Sequence, residues 1–495
     1  MPTDTTAEFS AFCAAIARER YLNRSGRKSA SELRVVFDRF GDLFRPDEIA
    51  TLDKTAAEAF YERDRMANRM LAAATSEWFV EARVCELSHE IATHELRATA
   101  ALDGAEVDVR SLPGRIAREE RADVRARLFA RWADALAETN DLRAEALEKR
   151  SESARILGAR SELDLIRTRR GVNYSELARR GASLLASTER EYLEAFEPAV
   201  TSCTGVRLNA ATMADAWFAL GGIEFDRAFL AARCPVVYRD VLAGLGIRSG
   251  AQRAITLDLA TRPGQSPDVF CAALDVPREI VISGPAGGGV AACSGLLRAA
   301  GEAQQHAFTA PDVRVAFARA GDGATPMLFG HLLARLLVDE IALAELFAVP
   351  NARAVRALTR LRSVFETRCE AALLAYAVDA TDREGIPAAS AEGFEETMRS
   401  ALHGRVPGRL HLHAIARAAE AGKSPRARAA EVVLREHLRV RFGRRWWQRR
   451  AAGDLLKELW ATGSEYSAEQ VTVECGLEQP SLDVLETDVR EELLA

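Results

Sequence analysis

One stretch of the sequence decides the fold, and it reads Glu279-Ile-Val-Ile-Ser-Gly-Pro-Ala-Gly-Gly-Gly-Val-Ala-Ala-Cys-Ser-Gly-Leu-Leu-Arg-Ala-Ala-Gly-Glu-Ala-Gln-Gln-His-Ala-Phe-Thr309. The β-branched run Glu279–Ser283 predicts a short strand. The glycines at 287–289 then predict a turn, because glycine reaches backbone conformations that are closed to other residues. After Gly289 the helical pattern returns, so the stretch predicts a strand, a turn and a long helix.

The sequence on either side of this stretch is mostly helical in pattern. Residues 8 to about 200 predict helices with charged outer faces, and the composition changes near residue 200, where proline and glycine become frequent. A second short strand is expected at Ala254–Leu259. The other expectations are loops at 377–395 and 404–409, helices up to about residue 461, and a helical acidic tail at 467–495. The sequence therefore predicts a mostly α protein with one small sheet, divided into lobes at 1–200 and 201–495.

Composition excludes several classes of protein. The chain has 495 residues, 48% of them hydrophobic and 28% charged, and its net charge of −6 offers no general attraction to nucleic acid or to anionic membranes. None of the eight cysteines forms a CxxC pair, which argues against a zinc knuckle and against a disulfide framework. The first residues lack the pattern of a signal peptide, and no apolar run approaches the roughly 18 residues of a membrane span. The expected location is the cytoplasm.

Several segments between about residues 200 and 470 match one enzyme group. They are Leu257-Asp-Leu-Ala-Thr-Arg-Pro-Gly-Gln-Ser-Pro-Asp-Val-Phe-Cys-Ala272, Val276–Ile282, Gly287–Gly289, Gly321-Asp322, Arg445-Trp-Trp447, Gly453–Trp460 and Gly463–Ser467. Together these segments resemble the oligoendopeptidase F and thimet oligopeptidase group of zinc metallopeptidases. The resemblance implies a two-lobed, mostly helical gluzincin body with a deep central channel and one small sheet.

The resemblance also implies where the zinc chemistry would lie. In that group, a His-Glu-x-x-His motif on one helix and a glutamate on the next helix hold the metal, and the glutamate of the motif acts as general base. Aligning the flanking residues without a gap places Arg298 and Glu302 at the two histidine positions, Ala299 at the base and Met327 at the third ligand. All four positions of the implied motif are therefore substituted.

These substitutions remove the metal chemistry. A guanidinium has no lone pair for a metal, alanine cannot accept a proton, and methionine is a poor zinc ligand. The family's oxyanion-stabilising tyrosines are missing too, since Tyr376 is the only tyrosine between Met327 and Tyr466. The sequence thus predicts no catalytic residues, no metal ligands and no cofactor. We expect Arg298 to replace the positive charge of the metal with Glu302 as its partner one helical turn away; the alternative is two unrelated surface charges.

Four other patterns suggest different chemistry. A displaced zinc site would use Glu302, His306 and His331, and would make the protein an active zinc oligopeptidase with zinc as its cofactor. His89 and His94 are five residues apart, which is not the spacing of a metallopeptidase helix. The Ser283–Gly289 turn lacks the Gly-Lys-Ser/Thr ending of a phosphate-binding loop. The basic run Arg439–Arg450 contains two tryptophans, but the acidic chain argues against a nucleic-acid surface.

The favoured function is therefore that of a non-catalytic relative of oligoendopeptidase F. Such a protein would bind peptides in its channel, or would pair with and regulate an active metallopeptidase. The strand at 279–283 is expected to be an edge strand on which an extended peptide adds as a further strand. The predicted peptide-binding residues are Glu279, Ile280, Val281, Ile282, Ser283, Gly287 and Gly288. A scaffold protein with a closed channel is a further alternative.

Overall fold

A computed structural model describes residues 3–102, 105–382 and 390–494. The helices of its first half are α1 (Thr3–Arg24), α2 (Leu33–Arg39), α3 (Pro46–Glu58), α4 (Glu62–Arg97), α5 (Leu112–Ile116), α6 (Ala122–Ala137), α7 (Asn140–Ile156), α8 (Glu162–Arg170), α9 (Tyr174–Ser187), α10 (Glu189–Thr204), α11 (Met213–Ala219) and α12 (Cys234–Gly244). The helices of its second half are α13 (Val290–Phe308), α14 (Val315–Arg319), α15 (Ala324–Ala334), α16 (Glu340–Glu345), α17 (Ala352–Asp382), α18 (Ser390–Leu402), α19 (His411–Ile415), α20 (Ala418–Ala421), α21 (Lys423–Phe442), α22 (Arg450–Ala461), α23 (Ala468–Glu474) and α24 (Asp483–Leu494). The expectation of a mostly α protein is confirmed.

The strands form two small sheets. They are β1 (Thr99–Leu102), β2 (Ala105–Asp108), β3 (Ile255–Leu259), β4 (Phe270–Asp275) and β5 (Glu279–Gly284). The first two form an antiparallel hairpin, and the other three form a sheet in the order β3-β5-β4, with β3 parallel and β4 antiparallel to β5. The predicted strands β3 and β5 are confirmed, whereas β4 and the hairpin are additional. The loop expected at 377–395 is wrong at both ends, because α17 extends to Asp382 and α18 begins at Ser390; residues 383–389 lie outside the described ranges.

Both faces of β5 are covered. Ile280 and Ile282 point into the large core that also contains α13. Val281, on the opposite face, belongs to a smaller cluster against which Ala17 and Tyr21 of α1 pack. This alternation follows from the strand period of two residues, and it places a helix against each face of the sheet.

Asp258 on β3 fastens the end of α1 to the sheet. This nearly buried carboxylate accepts hydrogen bonds from the Tyr21 hydroxyl at 2.9 Å, from Arg27 Nη2 at 3.1 Å and from Arg262 Nη1 at 3.1 Å. Hydrogen bonds from Arg262, Arg27 and Tyr21 outweigh burial and hold the pKa of Asp258 well below its ordinary value. Asp258 and Arg262, which belong to the segment Leu257–Ala272 that carries the resemblance, therefore have a structural role.

Hydrophobic contacts cross the lobe boundary predicted at residue 200. The ring of Phe196 on α10 stacks on that of Phe365 on α17, with 5.7 Å between centroids. Phe9 of α1 shares a buried cluster with Phe317 of α14. The division at 200 stays a prediction. Of the helices that the structure describes, none is both long and apolar enough to cross a membrane.

Candidate functional site

The turn between β5 and α13 sets the position of the site. Gly289 has a φ of +92°, and its amide donates a hydrogen bond to the carbonyl of Phe229 at 2.7 Å. A Cβ added at Gly289 would lie 2.7 Å from the Asp226 carboxylate, so the position favours glycine. α13 then follows directly and packs its apolar side into the large core.

The predicted motif lies where α13 packs closely against α15. A Cβ added at Gly330 would lie 3.1 Å from Cγ of Arg298 and 3.2 Å from Cγ of Glu302. Met327 is one turn earlier on α15, half-buried and packed against the core. Ala299 is 2% exposed. The structure therefore places Arg298 and Glu302 against α15 one turn from Met327, with Ala299 buried in the helix packing.

The ion-pair partner of Arg298 differs from the expected one. Arg298 Nη2 lies 3.7 Å from Glu366 Oε2 on α17, whereas no ion pair joins Arg298 to Glu302 within the part of the chain that the structure describes. Glu366 also accepts hydrogen bonds from Arg362 and Arg428, each at 3.1 Å. The three guanidinium groups outweigh burial and lower the pKa of Glu366 to about 2. Arg298 therefore forms its ion pair with Glu366 of α17, and its attraction to Glu302, expected from the helix spacing, acts beyond ion-pair distance.

Glu302 is a partly buried carboxyl group. Burial raises its pKa to about 7, and attraction to Arg298 and Arg24 offsets only part of that effect. Arg24, at the end of α1, stacks over the ring of Phe270 at 3.9 Å. Glu302 makes no hydrogen bond or ion pair with any side chain of the described ranges. Near neutral pH the Glu302 carboxyl is therefore protonated in part of the molecules and ionised in the others.

The two nearby histidines are both neutral. Burial, followed by repulsion from Arg319, lowers the pKa of His306 to about 4. Burial also places the pKa of His331 well below its ordinary value. Nε2 of His331 lies 3.3 Å from the hydroxyl of Ser424, which donates to Glu370 at 2.9 Å.

A zinc ion does not fit these residues. Arg298 has no lone pair, Met327 is a soft thioether, and Glu302 alone offers an oxygen donor. Across residues 3–102, 105–382 and 390–494, no group of three or more His, Cys, Asp or Glu side chains is arranged to hold a metal. The alternative set of Glu302, His306 and His331 is therefore not brought together by the fold.

The predicted peptide-binding edge is wrong. β5 is the central strand, so its backbone groups are already paired with β3 and β4. Four of the predicted residues are buried, and these are Ile280, Val281, Ile282 and Ser283. Glu279 is exposed and forms an ion pair with Arg18 at 2.5 Å. A Cβ added at Gly288 would lie 2.8 Å from the carbonyl oxygen of Phe229, so this glycine packs against the protein, whereas a Cβ at Gly287 would make only an ordinary contact, 3.6 Å from Cβ of Ala292.

The remaining patterns have structural roles. His94 lies 2.9 Å from Glu138 on the surface of α4. Trp446 and Trp447 are 2% and 1% exposed, so their rings fill the core and are not free to stack on bases. Reasoning from sequence missed Glu366, Arg362 and Arg24 at the site. The Arg362–Glu366 spacing of one helical turn was the available signal.

Comparison with known proteins agrees with this architecture. No protein-family model matches the chain, and no curated protein does. Among solved structures, an oligoendopeptidase F from Bacillus anthracis str. Ames has a TM-score of 0.65 at 12% identity, covering 96% of this chain and 85% of that one. A PZ peptidase A with an inhibitor has a TM-score of 0.73 at 11% identity, covering 98% and 90%.

A third solved structure widens the comparison. An M32 carboxypeptidase from Deinococcus radiodurans R1 has a TM-score of 0.61 at 13% identity, covering 100% of this chain and 99% of that one. The chain has the fold of the oligoendopeptidase F peptidases. The expected mostly helical, metallopeptidase-like fold is thereby confirmed. Identities this low establish the architecture, and function has to be argued from the site.

Proposed function

We propose that this protein is a non-catalytic member of the oligoendopeptidase F fold that binds peptides without cleaving them. The observation that carries the proposal is the donor set where α13 meets α15. Arg298, Glu302 and Met327 together offer one metal-binding oxygen, whereas a catalytic zinc requires three protein ligands. The Arg298 guanidinium, paired with Glu366, supplies positive charge there instead.

A large cleft supports the binding part of the proposal. A cavity of about 900 Å³ is lined by residues of α4, α7, α8, α9 and the end of α17. This volume lies within the roughly 300–1,000 Å³ of ordinary ligand pockets. Tyr174 lines the cleft and touches Gly422, while Ser424 contacts His331. The first turn of α21 therefore lies between the cleft and the site around Arg298.

The proposal is tested by metal content, cleavage and binding measured on one preparation. We expect less than equimolar zinc, no chelator-sensitive cleavage of quenched fluorogenic peptides, and saturable binding of fluorescein-labelled peptides. Stoichiometric zinc together with chelator-sensitive cleavage would establish the opposite function, that of an active zinc peptidase. Absence of peptide binding would leave only a scaffold role.

A gain-of-function variant tests whether the motif positions are assigned correctly. The triple substitution Arg298→His, Glu302→His and Met327→Glu places three zinc donors around Gly330, so we expect it to bind one equivalent of zinc. The matched control carries Met327→Glu alone, which leaves too few donors. Atomic absorption after gel filtration measures the zinc content of both variants. A triple variant that folds but takes up no zinc would show that these positions do not correspond to a metal site.

A further inference from the structure

A small cavity lies directly beside Arg298. It has a volume of about 70 Å³ and is bounded by α13, α15, α17, α21 and α24. A single water needs roughly 10–15 Å³ by the same measure, so the cavity has room for a group of a few heavy atoms. The side chain of Arg298 is 41% exposed, which leaves this wall reachable from outside.

The charges near Arg298 do not balance. Three guanidinium groups, those of Arg298, Arg362 and Arg428, face the carboxylate of Glu366. Nε of Arg428 also lies 3.3 Å from Glu370, which brings the count to three positive and two negative groups. At the opposite end of the cavity, Arg335, Arg360 and Arg435 interact with three acids, Glu431, Asp488 and Glu492, and burial raises the pKa of Glu492 to about 7. At the Arg298 end the guanidinium groups thus outnumber Glu366 and Glu370 by one, and the nearby Glu302, whose pKa is about 7, supplies only part of a negative charge near neutral pH.

Two donors at this end lack an acceptor. Nε of Arg298 is buried and has no hydrogen-bond acceptor among the residues that the structure describes. Ser294 lines the cavity one turn before Arg298, and its hydroxyl makes no hydrogen bond within the same ranges. Unpaired buried donors cost free energy, so a bound acceptor would be favourable here.

The local potential is positive. His331 lines the cavity, and its pKa is low first because the ring is buried and then because Arg428 and Arg298 repel the imidazolium form. The same two arginines contribute to the low pKa of Glu366. Both groups therefore experience the positive charge of Arg298 and Arg428, which favours an anion on this side of the cavity.

From this geometry we infer that the cavity beside Arg298 binds the carboxylate group of a peptide, an inference that rests on the peptide binding proposed above. A carboxylate carries the single negative charge that the cluster lacks, whereas a phosphate dianion would exceed it. Its two oxygens suit the fork of a guanidinium, and the Ser294 hydroxyl lies on the same helix face one turn away. The carboxyl terminus of a peptide and a glutamate side chain both carry this group.

The experiment compares matched peptide libraries. Fluorescein-labelled hexapeptides of mixed sequence are prepared as free acids, as C-terminal amides, and as amides containing one glutamate, and binding is followed by anisotropy. We expect free acids to bind at least about tenfold more tightly than plain amides, the ratio that one charge-assisted hydrogen bond provides. Tight binding of the glutamate amides would assign the carboxylate to a side chain. Equal binding of acids and amides would overturn the carboxylate site but leave peptide binding intact, whereas no binding at all would overturn both.

Substitutions at Arg298 test whether the preference for free-acid peptides comes from this cavity. Arg298→Gln removes the guanidinium from a partly exposed position and is expected to abolish the preference for free acids, whereas Arg298→Lys keeps the charge and retains part of it. The matched control is Arg278→Gln, at a side chain that is 81% exposed in the turn between β4 and β5. Circular dichroism confirms that each variant folds. A folded Arg298→Gln protein that still prefers free acids as the native protein does would rule out this cavity.

Discussion

Glu302 carries a charge that depends on pH near neutrality. Its pKa is raised to about 7 by burial, whereas a glutamate in an unfolded chain titrates near 4.3. Between these values the folded protein binds a proton that the unfolded chain has already lost. The contribution of Glu302 to stability is therefore fully present below about pH 4.3 and is lost as the pH rises through about 7.

Replacing Glu302 by glutamine removes this pH dependence. We expect Glu302→Gln to match the native protein near pH 4.3 and to be more stable by about 1–3 kcal/mol at pH 8, where the native carboxylate is charged and buried. Urea unfolding at both pH values measures the difference. The control Glu279→Gln breaks an exposed pair with Arg18 and should change stability by less than about 1 kcal/mol at either pH. A Glu302→Gln protein with no gain at pH 8 would contradict the raised pKa.

The partner of Arg298 shows what residue-level reasoning from sequence can reach. The composition of the site was predictable, because Arg298, Glu302 and Met327 follow from an ungapped alignment. The ion-pair partner of Arg298 could not be predicted, because helix spacing relates Arg298 only to residues on α13. Glu366 lies beside Arg298 because α17 packs against this part of the fold. Contacts between distant helices depend on tertiary packing and leave no periodic signal in one sequence.

At the scale of elements, the crossing of α13 and α15 depends on Gly301. A Cβ added there would lie 2.0 Å from the carbonyl oxygen of Phe329 and 2.7 Å from the amide of Gly330, so the helices would have to move apart. We expect Gly301→Ala to lower the free energy of unfolding by about 2–3 kcal/mol, the usual cost of overpacking. The loss of stability is measured from the midpoints of urea unfolding of the two proteins.

Gly295 is the matched control on the same helix. A Cβ at Gly295 would lie 3.5 Å from Cβ of Val269, which is ordinary van der Waals contact. Because alanine favours a helix interior by about 1 kcal/mol over glycine, Gly295→Ala should leave stability unchanged or raise it. Equal losses in the two variants would show that helix crossing at Gly301 is no tighter than elsewhere.

The small sheet was only partly predictable. The β-branched run in β5 predicts its own strand, but its place in the sheet depends on β4, whose sequence Phe270-Cys-Ala-Ala-Leu-Asp275 contains no β-branched residue. Strand propensity is weak there, and antiparallel pairing with β5 holds β4 in place. Without β4 the central strand β5 is expected to be an edge strand, and the prediction that a peptide adds to it is wrong for that reason.

At the scale of the molecule, α1 joins the N-terminal part of the chain to the sheet that precedes α13. Its residues Ala17 and Tyr21 pack against β5, and Arg24 approaches Glu302 at the site. This docking could not be read from composition, which changes near residue 200 and so suggests separate lobes. The charged groups around Asp258 are what make the contact specific.

Breaking the Asp258 cluster should loosen α1 selectively. Asp258→Asn leaves the guanidinium groups of Arg27 and Arg262 without their carboxylate, so we expect stability to fall by about 2–4 kcal/mol. Because this cluster holds the C-terminal end of α1, limited proteolysis should cut near residues 25–32 before the rest of the chain is degraded. The control is Arg18→Gln, which also lies on α1 and breaks the exposed ion pair with Glu279 of β5. It should lower the free energy of unfolding by less than about 1 kcal/mol, with no early cleavage. Uniform proteolysis of the Asp258→Asn protein would mean that α1 unfolds only with the whole molecule.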